Sequence, residues 1–253
     1  MVVKINHNPQ ILKFKRTRNY IMKKIIVANW KMNPQKLAEA KKIVGETCRV
    51  VNKTKYEIII LPPAVYFPDV VDICKSKKIK FGVQNIFWQE SGAFTGEISA
   101  KMVKNLGADF VLIGHSERRR FFGEGFDGVR RKIKSALSEG LVPIVCIGTH
   151  SAILEANEAI GGLGDKNISQ LIFAYEPVWA IGSGHPDTPE HAALTIQNIK
   201  QRIPKLRKSK FLYGGSIDEK NAKLFLSQEG IDGLLIGRES LDAKHFAKII
   251  RPF

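Results

Sequence analysis

Leu171-Ile172-Phe173-Ala174-Tyr175-Glu176-Pro177-Val178-Trp179-Ala180-Ile181-Gly182-Ser183-Gly184 decides how the chain is read. Leu171 to Tyr175 is an unbroken apolar run of strand length, as a strand covered on both faces requires. It ends on a carboxylate. Pro177 stiffens the exit and Trp179 gives the next segment an apolar body to dock. Gly182 and Gly184 admit backbone angles and close ligand approach that a side chain would forbid. A strand that delivers an acid into a hinged segment reads as a catalytic group beneath a lid. An ordinary surface edge would have little use for Trp between Pro and Gly.

The same grammar recurs along the chain. Asn29-Trp30-Lys31 follows Ile25-Ile26-Val27, Gly114-His115-Ser116-Glu117-Arg118 follows Phe110-Val111-Leu112-Ile113, and Tyr213-Gly214-Gly215-Ser216 follows Lys210-Phe211-Leu212. Strands are predicted at Ile25–Ala28, Glu57–Leu61, Lys80–Val83, Phe110–Ile113, Pro143–Ile147, Leu171–Tyr175, Phe211–Tyr213 and Gly233–Ile236. Helical patterns between them include Lys36–Val50, Val129–Ser138, Glu190–Arg202 and Glu239–Ile249. Eight βα units in 253 residues favour one α/β domain, a closed (β/α)8 barrel over an open doubly wound sheet. In such a barrel the loops after the strands converge on one face, and that is where each polar set lies. Taken singly, His115 would read as structural and Lys31 as a solvated charge. Their recurrence after successive strands makes them site candidates.

These motifs in this order, with Gly92-Ala93-Phe94-Thr95-Gly96-Glu97 between them, resemble the triosephosphate isomerase family from Met22 to nearly the last residue, Phe253. The resemblance implies interconversion of D-glyceraldehyde 3-phosphate and dihydroxyacetone phosphate through an enediolate, in glycolysis and gluconeogenesis, with no cofactor. By the same resemblance Glu176 is the base and His115 a neutral electrophile. Lys31 and Asn29 stabilise the developing charge and contact substrate. Glu117 is a supporting partner of Lys31 or of the lid. Phosphate contacts fall to backbone groups at Gly182, Gly214-Gly215-Ser216 and Gly237-Arg238. The loop bearing Thr95 would enter a second subunit near that subunit's Asn29 and His115, which implies a homodimer.

Three departures stand out. The family has two glycines where this chain has Gly237-Arg238, so a Cβ is expected to tighten that turn while a guanidinium adds charge. Thr149 replaces the usual Glu after Cys146-Ile147-Gly148, at the cost of a surface ion pair worth about 0–1 kcal/mol. The stretch from His150 to Gln170 is short, which predicts a trimmed fifth helical layer.

Composition narrows the rest. The net charge of +16 could draw nucleic acid or an acidic surface. Basic residues cluster only at Arg118-Arg119-Arg120 and Arg130-Arg131-Lys132, without interleaved aromatics, so a solvated surface that steers an anionic substrate is expected and specific nucleic-acid binding is not. Cys48, Cys74 and Cys146 show no Cys-x-x-Cys spacing, and their odd count argues against a disulfide framework and for the cytoplasm. No His-x-x-x-His pair suggests a metal, and the dinucleotide, P-loop and nucleophile-elbow patterns are absent. Residues 1–21 carry Lys4, Lys13, Lys15, Arg16 and Arg18 and no acid. They read as a disordered extension or an over-extended start ahead of Met22, with an organelle transit peptide as the alternative, and the catalytic domain as 22–253. No membrane segment is expected. The rivals in function are another phosphate-binding barrel enzyme, and a catalytically impaired basic binding or scaffold protein on the same fold.

Overall fold

The computed structural model describes residues 23–52, 54–74, 78–180 and 185–251, so the extension 1–21 lies outside the described residues. Eight parallel strands close on themselves in sequence order: β1 (Ile25–Asn29), β2 (Glu57–Leu61), β3 (Ile79–Val83), β4 (Phe110–Ile113), β5 (Val142–Ile147), β6 (Ile172–Tyr175), β7 (Lys210–Tyr213) and β8 (Gly233–Ile236). The uniform apolarity of these strands conceals a period of two. Ile25, Val27, Ile59, Leu61, Leu112 and Ile144 fill the barrel interior. Their neighbours Ile26, Ala28, Ile58, Ile60, Val111 and Val145 face the helical layer. Both faces are therefore desolvated, which is why polar residues appear only where the strands end.

The ring shuts where β8 lies against β1, Gly233 opposite Ile25. A Cβ on Gly233 would sit 1.8 Å from the Ile25 carbonyl oxygen, so the seam requires glycine.

The outer layer comprises α1 (Leu37–Val51), α2 (Phe67–Ile73), α3 (Ala100–Asn105), α4 (Ser116–Phe122), α5 (Phe126–Ser138), α6 (Ala152–Ala159), α7 (Asp165–Ile168), α8 (Pro189–Arg202), α9 (Ala222–Ser227) and α10 (Ala243–Ile249). Between β5 and β6 the layer is two short pieces, α6 and α7, where α1 and α8 are single helices of 15 and 14 residues. The helix predicted over Glu239–Ile249 is divided. Asp242 accepts from the N–H groups of Lys244 and His245, so a new helix begins there and Arg238–Leu241 forms a separate 3-10 turn.

The cysteine expectation is corrected. Cys48 on α1 and Cys74 after α2 form a disulfide with Cα atoms 6.0 Å apart, and Cys146 is left free and buried. An odd count says nothing of which helices become neighbours, and α1 packs directly on α2. Among the described residues no helix is long and apolar enough to cross a membrane.

Candidate active site

A cavity of about 560 Å³ opens at the C-terminal mouth of the barrel, lined by Asn29, Lys31, His115, Glu176, Ser216, Gly237 and Arg238. Asn29 ends β1, buried, and its Oδ1 accepts the Lys31 N–H at 3.0 Å. That bond bends the chain sharply. Lys31 has φ 55°, and among the described residues it is the only non-glycine with positive φ. Such a conformation costs on the order of 1–3 kcal/mol, and the surroundings hold it: the Gln84 amide donates to the carbonyls of Lys31 and Leu61, each at 2.9 Å. The turn aims the Lys31 ammonium inward, where it meets Glu117 Oε1 at 2.6 Å.

His115 ends the β4 loop and caps α4. Its Nδ1 accepts the Glu117 N–H at 3.3 Å, a bond that only an unprotonated Nδ1 can make, which leaves the ring proton on Nε2. Nε2 lies 3.1 Å from Glu176 Oε1. Burial lowers the His115 pKa, but the charge and hydrogen bond of Glu176 outweigh it and leave the pKa raised. The upward pull comes from the carboxylate itself, so it weakens whenever Glu176 turns to another partner.

Glu176 follows β6 and is 2% exposed. Burial raises its pKa, while His115 and the Ser116 N–H, which reaches Oε2 at 3.3 Å, bring it below the ordinary value. Its main chain is pinned from two sides. The Glu176 N–H donates to Ile147 O at 2.7 Å, and a Cβ added to Gly148 would stand 2.7 Å from Glu176 O. A Cβ on Gly214 would stand 2.8 Å from Glu176 Cγ, so glycine there clears the space the side chain occupies. The neighbouring Cys146 thiol is pushed well up by burial and by Glu176 and stays protonated.

The β7–β8 side of the mouth has a different build. Ser216 donates its N–H at 3.1 Å and its hydroxyl at 2.6 Å to the Ala180 carbonyl, which ties the β7 loop to the segment after Glu176. Arg238 is exposed and opens the 3-10 turn without positive φ, so its backbone carries none of the strain that would favour glycine. Gly182 lies outside the described residues. Thr95 sits on an exposed loop away from this cavity, beside Phe94, whose ring packs 4.7 Å from Phe87 and remains 41% exposed.

Sequence reading missed the layer behind these groups. Arg119 and Lys132, taken with the basic surface, point inward with side chains about 5% exposed. Lys132 reaches Glu124 at 2.6 Å and Asn85 at 2.8 Å, and Glu124 also accepts from Arg118 and from the Gly114 N–H just before His115. A triplet of arginines carries no mark of which member faces in. The Ser116 N–H and the Gln84 amide were likewise illegible, because backbone donors and a lone Gln have no motif.

The family model described as Triosephosphate isomerase matches residues 24–253. Over 243 residues the chain is 41% identical to a protein named triosephosphate isomerase from Caldanaerobacter subterraneus subsp. tengcongensis, covering 89% of this chain and 98% of that protein. It is 40% identical over the same length and shares to one from a Thermoanaerobacter species. A Legionella pneumophila protein of the same name is 36% identical over 249 residues, 90% of this chain and 98% of its own.

Proposed function

The chain belongs to the triosephosphate isomerase family, and on that premise we propose how its residues interconvert D-glyceraldehyde 3-phosphate and dihydroxyacetone phosphate, the family's reaction in glycolysis. Glu176 takes a proton from the carbon beside the substrate carbonyl and returns it to the neighbouring carbon. Between the two transfers the electron pair rests on oxygen as an enediolate. The Nε2–H of His115 protonates that oxygen, and the ring then regains a proton from the hydroxyl on the neighbouring carbon, so the imidazole is restored and the carbonyl has moved by one carbon. Lys31 supplies positive charge and Asn29 a neutral donor to the same side, with Glu117 holding Lys31 in place. The phosphate is bound at the β7–β8 rim by the Gly214-Gly215-Ser216 loop, once the Ser216 N–H and hydroxyl leave the Ala180 carbonyl, and by Gly237-Arg238, with Gly182 completing the set and the charge of Arg238 adding to it.

One observation carries this reading. At the cavity floor a buried carboxylate and a buried imidazole meet at 3.1 Å, and the hydrogen bond at Nδ1 fixes the ring proton toward the carboxylate. A coupled assay supplied with glyceraldehyde 3-phosphate, without added metal or nucleotide, is expected to form dihydroxyacetone phosphate. No turnover by folded protein would overturn the assignment.

We assign a homodimer on the exposed apolar side chains Met32, Val65, Phe94, Phe121 and Phe122, which a lone subunit would leave in water. In the pair, Thr95 would stand near the neighbouring site. A cytoplasmic location rests on the family's pathway, since cysteine usage no longer argues for it. The catalytic unit is taken as residues 22–253, with 1–21 dispensable for activity.

A further inference from the structure

Glu155 is an acid the chemistry leaves unused, yet it is only 1% exposed. It lies in the first turn of α6 and reaches back over the loop that follows β5. There it accepts three successive main-chain N–H groups: Gly148 at 2.9 Å, Thr149 at 3.4 Å and His150 at 2.7 Å. The same loop supports the base, since Gly148 packs directly on the Glu176 carbonyl and Ile147 accepts the Glu176 N–H.

Arg119 completes the arrangement. Its NH2 group stands 3.9 Å from Glu155 Oε2, its Nε donates to Gly114 O at 2.9 Å, and its NH2 donates to Cys146 O at 3.3 Å. Gly114 is the residue before His115. One buried carboxylate and one buried guanidinium thus tie together the ends of β4 and β5 and, through them, the backbone of Glu176.

We propose that Glu155 is a positioning residue for the isomerisation: it sets the β5 loop against which Glu176 is registered on His115. The proposal rests on the reading of Glu176 as the base. A carboxylate suits the task because its two oxygens can accept from three N–H groups and still face Arg119, whereas an amide at the same place would turn one NH2 group toward donors. Displacement of the loop moves the base relative to the substrate carbon, and a misplacement on the order of 1 Å costs roughly a hundredfold in rate. Phosphate binding at the β7–β8 rim uses other loops and is left alone.

Glu155→Gln is the test, with kcat, KM and inhibition by 2-phosphoglycolate and by inorganic phosphate measured on folded protein. Expected are a kcat lower by roughly ten- to a hundredfold, a KM within about twofold, a loss of 2-phosphoglycolate affinity that parallels kcat, and unchanged inhibition by phosphate. Because 2-phosphoglycolate offers a carboxylate in place of the enediolate, it reports the register of Glu176 and His115, which phosphate alone does not. Unchanged kcat, or an equal weakening of both inhibitors, overturns the proposal. If Glu155→Gln does not fold, Arg119→Lys decides by the same split, since it keeps the charge and loses the forked donors to Gly114 and Cys146. A Glu176→Gln control separates the two ideas. If it is inactive while Glu155→Gln is normal, only the positioning role falls; if both are normal, Glu176 is not the base.

Discussion

The two sides of the barrel mouth handle charge differently. At the ends of β4 and β6, His115 and Glu176 are buried, face each other at 3.1 Å, and shift each other's pKa. At the ends of β7 and β8 the cavity is lined by Gly214, Gly215 and Gly237 and by charged side chains none of which is buried, Lys220 and Arg238 exposed beside Asp218 and Glu239. Burial decides what each can do. A charge that has lost its water is governed by one or two neighbours and responds to small displacements, whereas a solvated charge is screened and acts mainly by attraction. The first side suits proton transfer and the second suits holding a dianion. Substitutions should therefore divide into those that lower kcat and those that move KM.

Glu176→Gln should show the largest effect, a loss of kcat on the order of 10²–10⁴-fold with KM near normal, because the removed group acts on the transferring proton. Near wild-type turnover would erase the distinction between the two sides. Next comes Gly214→Ala, which lies on β7's loop but touches the base. Its Cβ would press on Glu176 Cγ from 2.8 Å, and roughly a ten- to hundredfold fall in kcat is expected with folding intact by circular dichroism. A change confined to KM would mean that Gly214 serves the phosphate alone and not the base.

Arg238→Ala is expected to raise KM only about two- to fivefold, as for an exposed charge pair, with the difference vanishing at high salt. Since Arg238 has no positive φ, Arg238→Gly should match it. A KM that falls in the glycine variant would mean that the Cβ crowds the site after all.

The smallest effect concerns stability against pH. Glu176, with its pKa lowered, contributes stability that is present above its unfolded-state pKa and is lost as pH falls through the folded value. His115, with its pKa raised, contributes stability that is present below its unfolded-state pKa and is lost as pH rises through the folded value. Both contributions are whole between the ordinary values of 4.5 and 6.5. The Tm difference between wild type and His115→Gln should therefore be greatest in that interval and shrink on either side. A difference independent of pH would mean the pair does not ionise together.

Much of this was legible from the chain. Every strand was found within a residue of its ends, because two-sided burial demands continuous apolar runs and the turn chemistry marks their limits. Asn29, Lys31, His115 and Glu176 are gathered at one mouth because each lies at a strand's end or within two residues of it, and Glu117 reaches Lys31 from the first turn of α4. What stayed hidden is set by partners distant in sequence. The inward turn of Arg119, the burial of Glu155 and the bond between Cys48 and Cys74 each depend on which helices become neighbours, and no local pattern records that. The break at Asp242 was visible in principle, since an aspartate before Ala243 is an ordinary helix start.

The seam at Gly233 has a consequence for how the protein is made. Strand β1 leaves the ribosome first and needs β8 at its free edge, and that partner arrives about two hundred residues later. Until then the nascent sheet carries an open row of backbone donors and acceptors flanked by bare apolar faces, the kind of edge that recruits a foreign strand. A chain stopped before Gly233 is thus not a barrel with one stave missing. It is an open sheet, sticky along two edges, and translation that stalls with β8 still unmade leaves the chain at its most aggregation-prone. Ending the synthesis quickly protects this fold as surely as any contact within it.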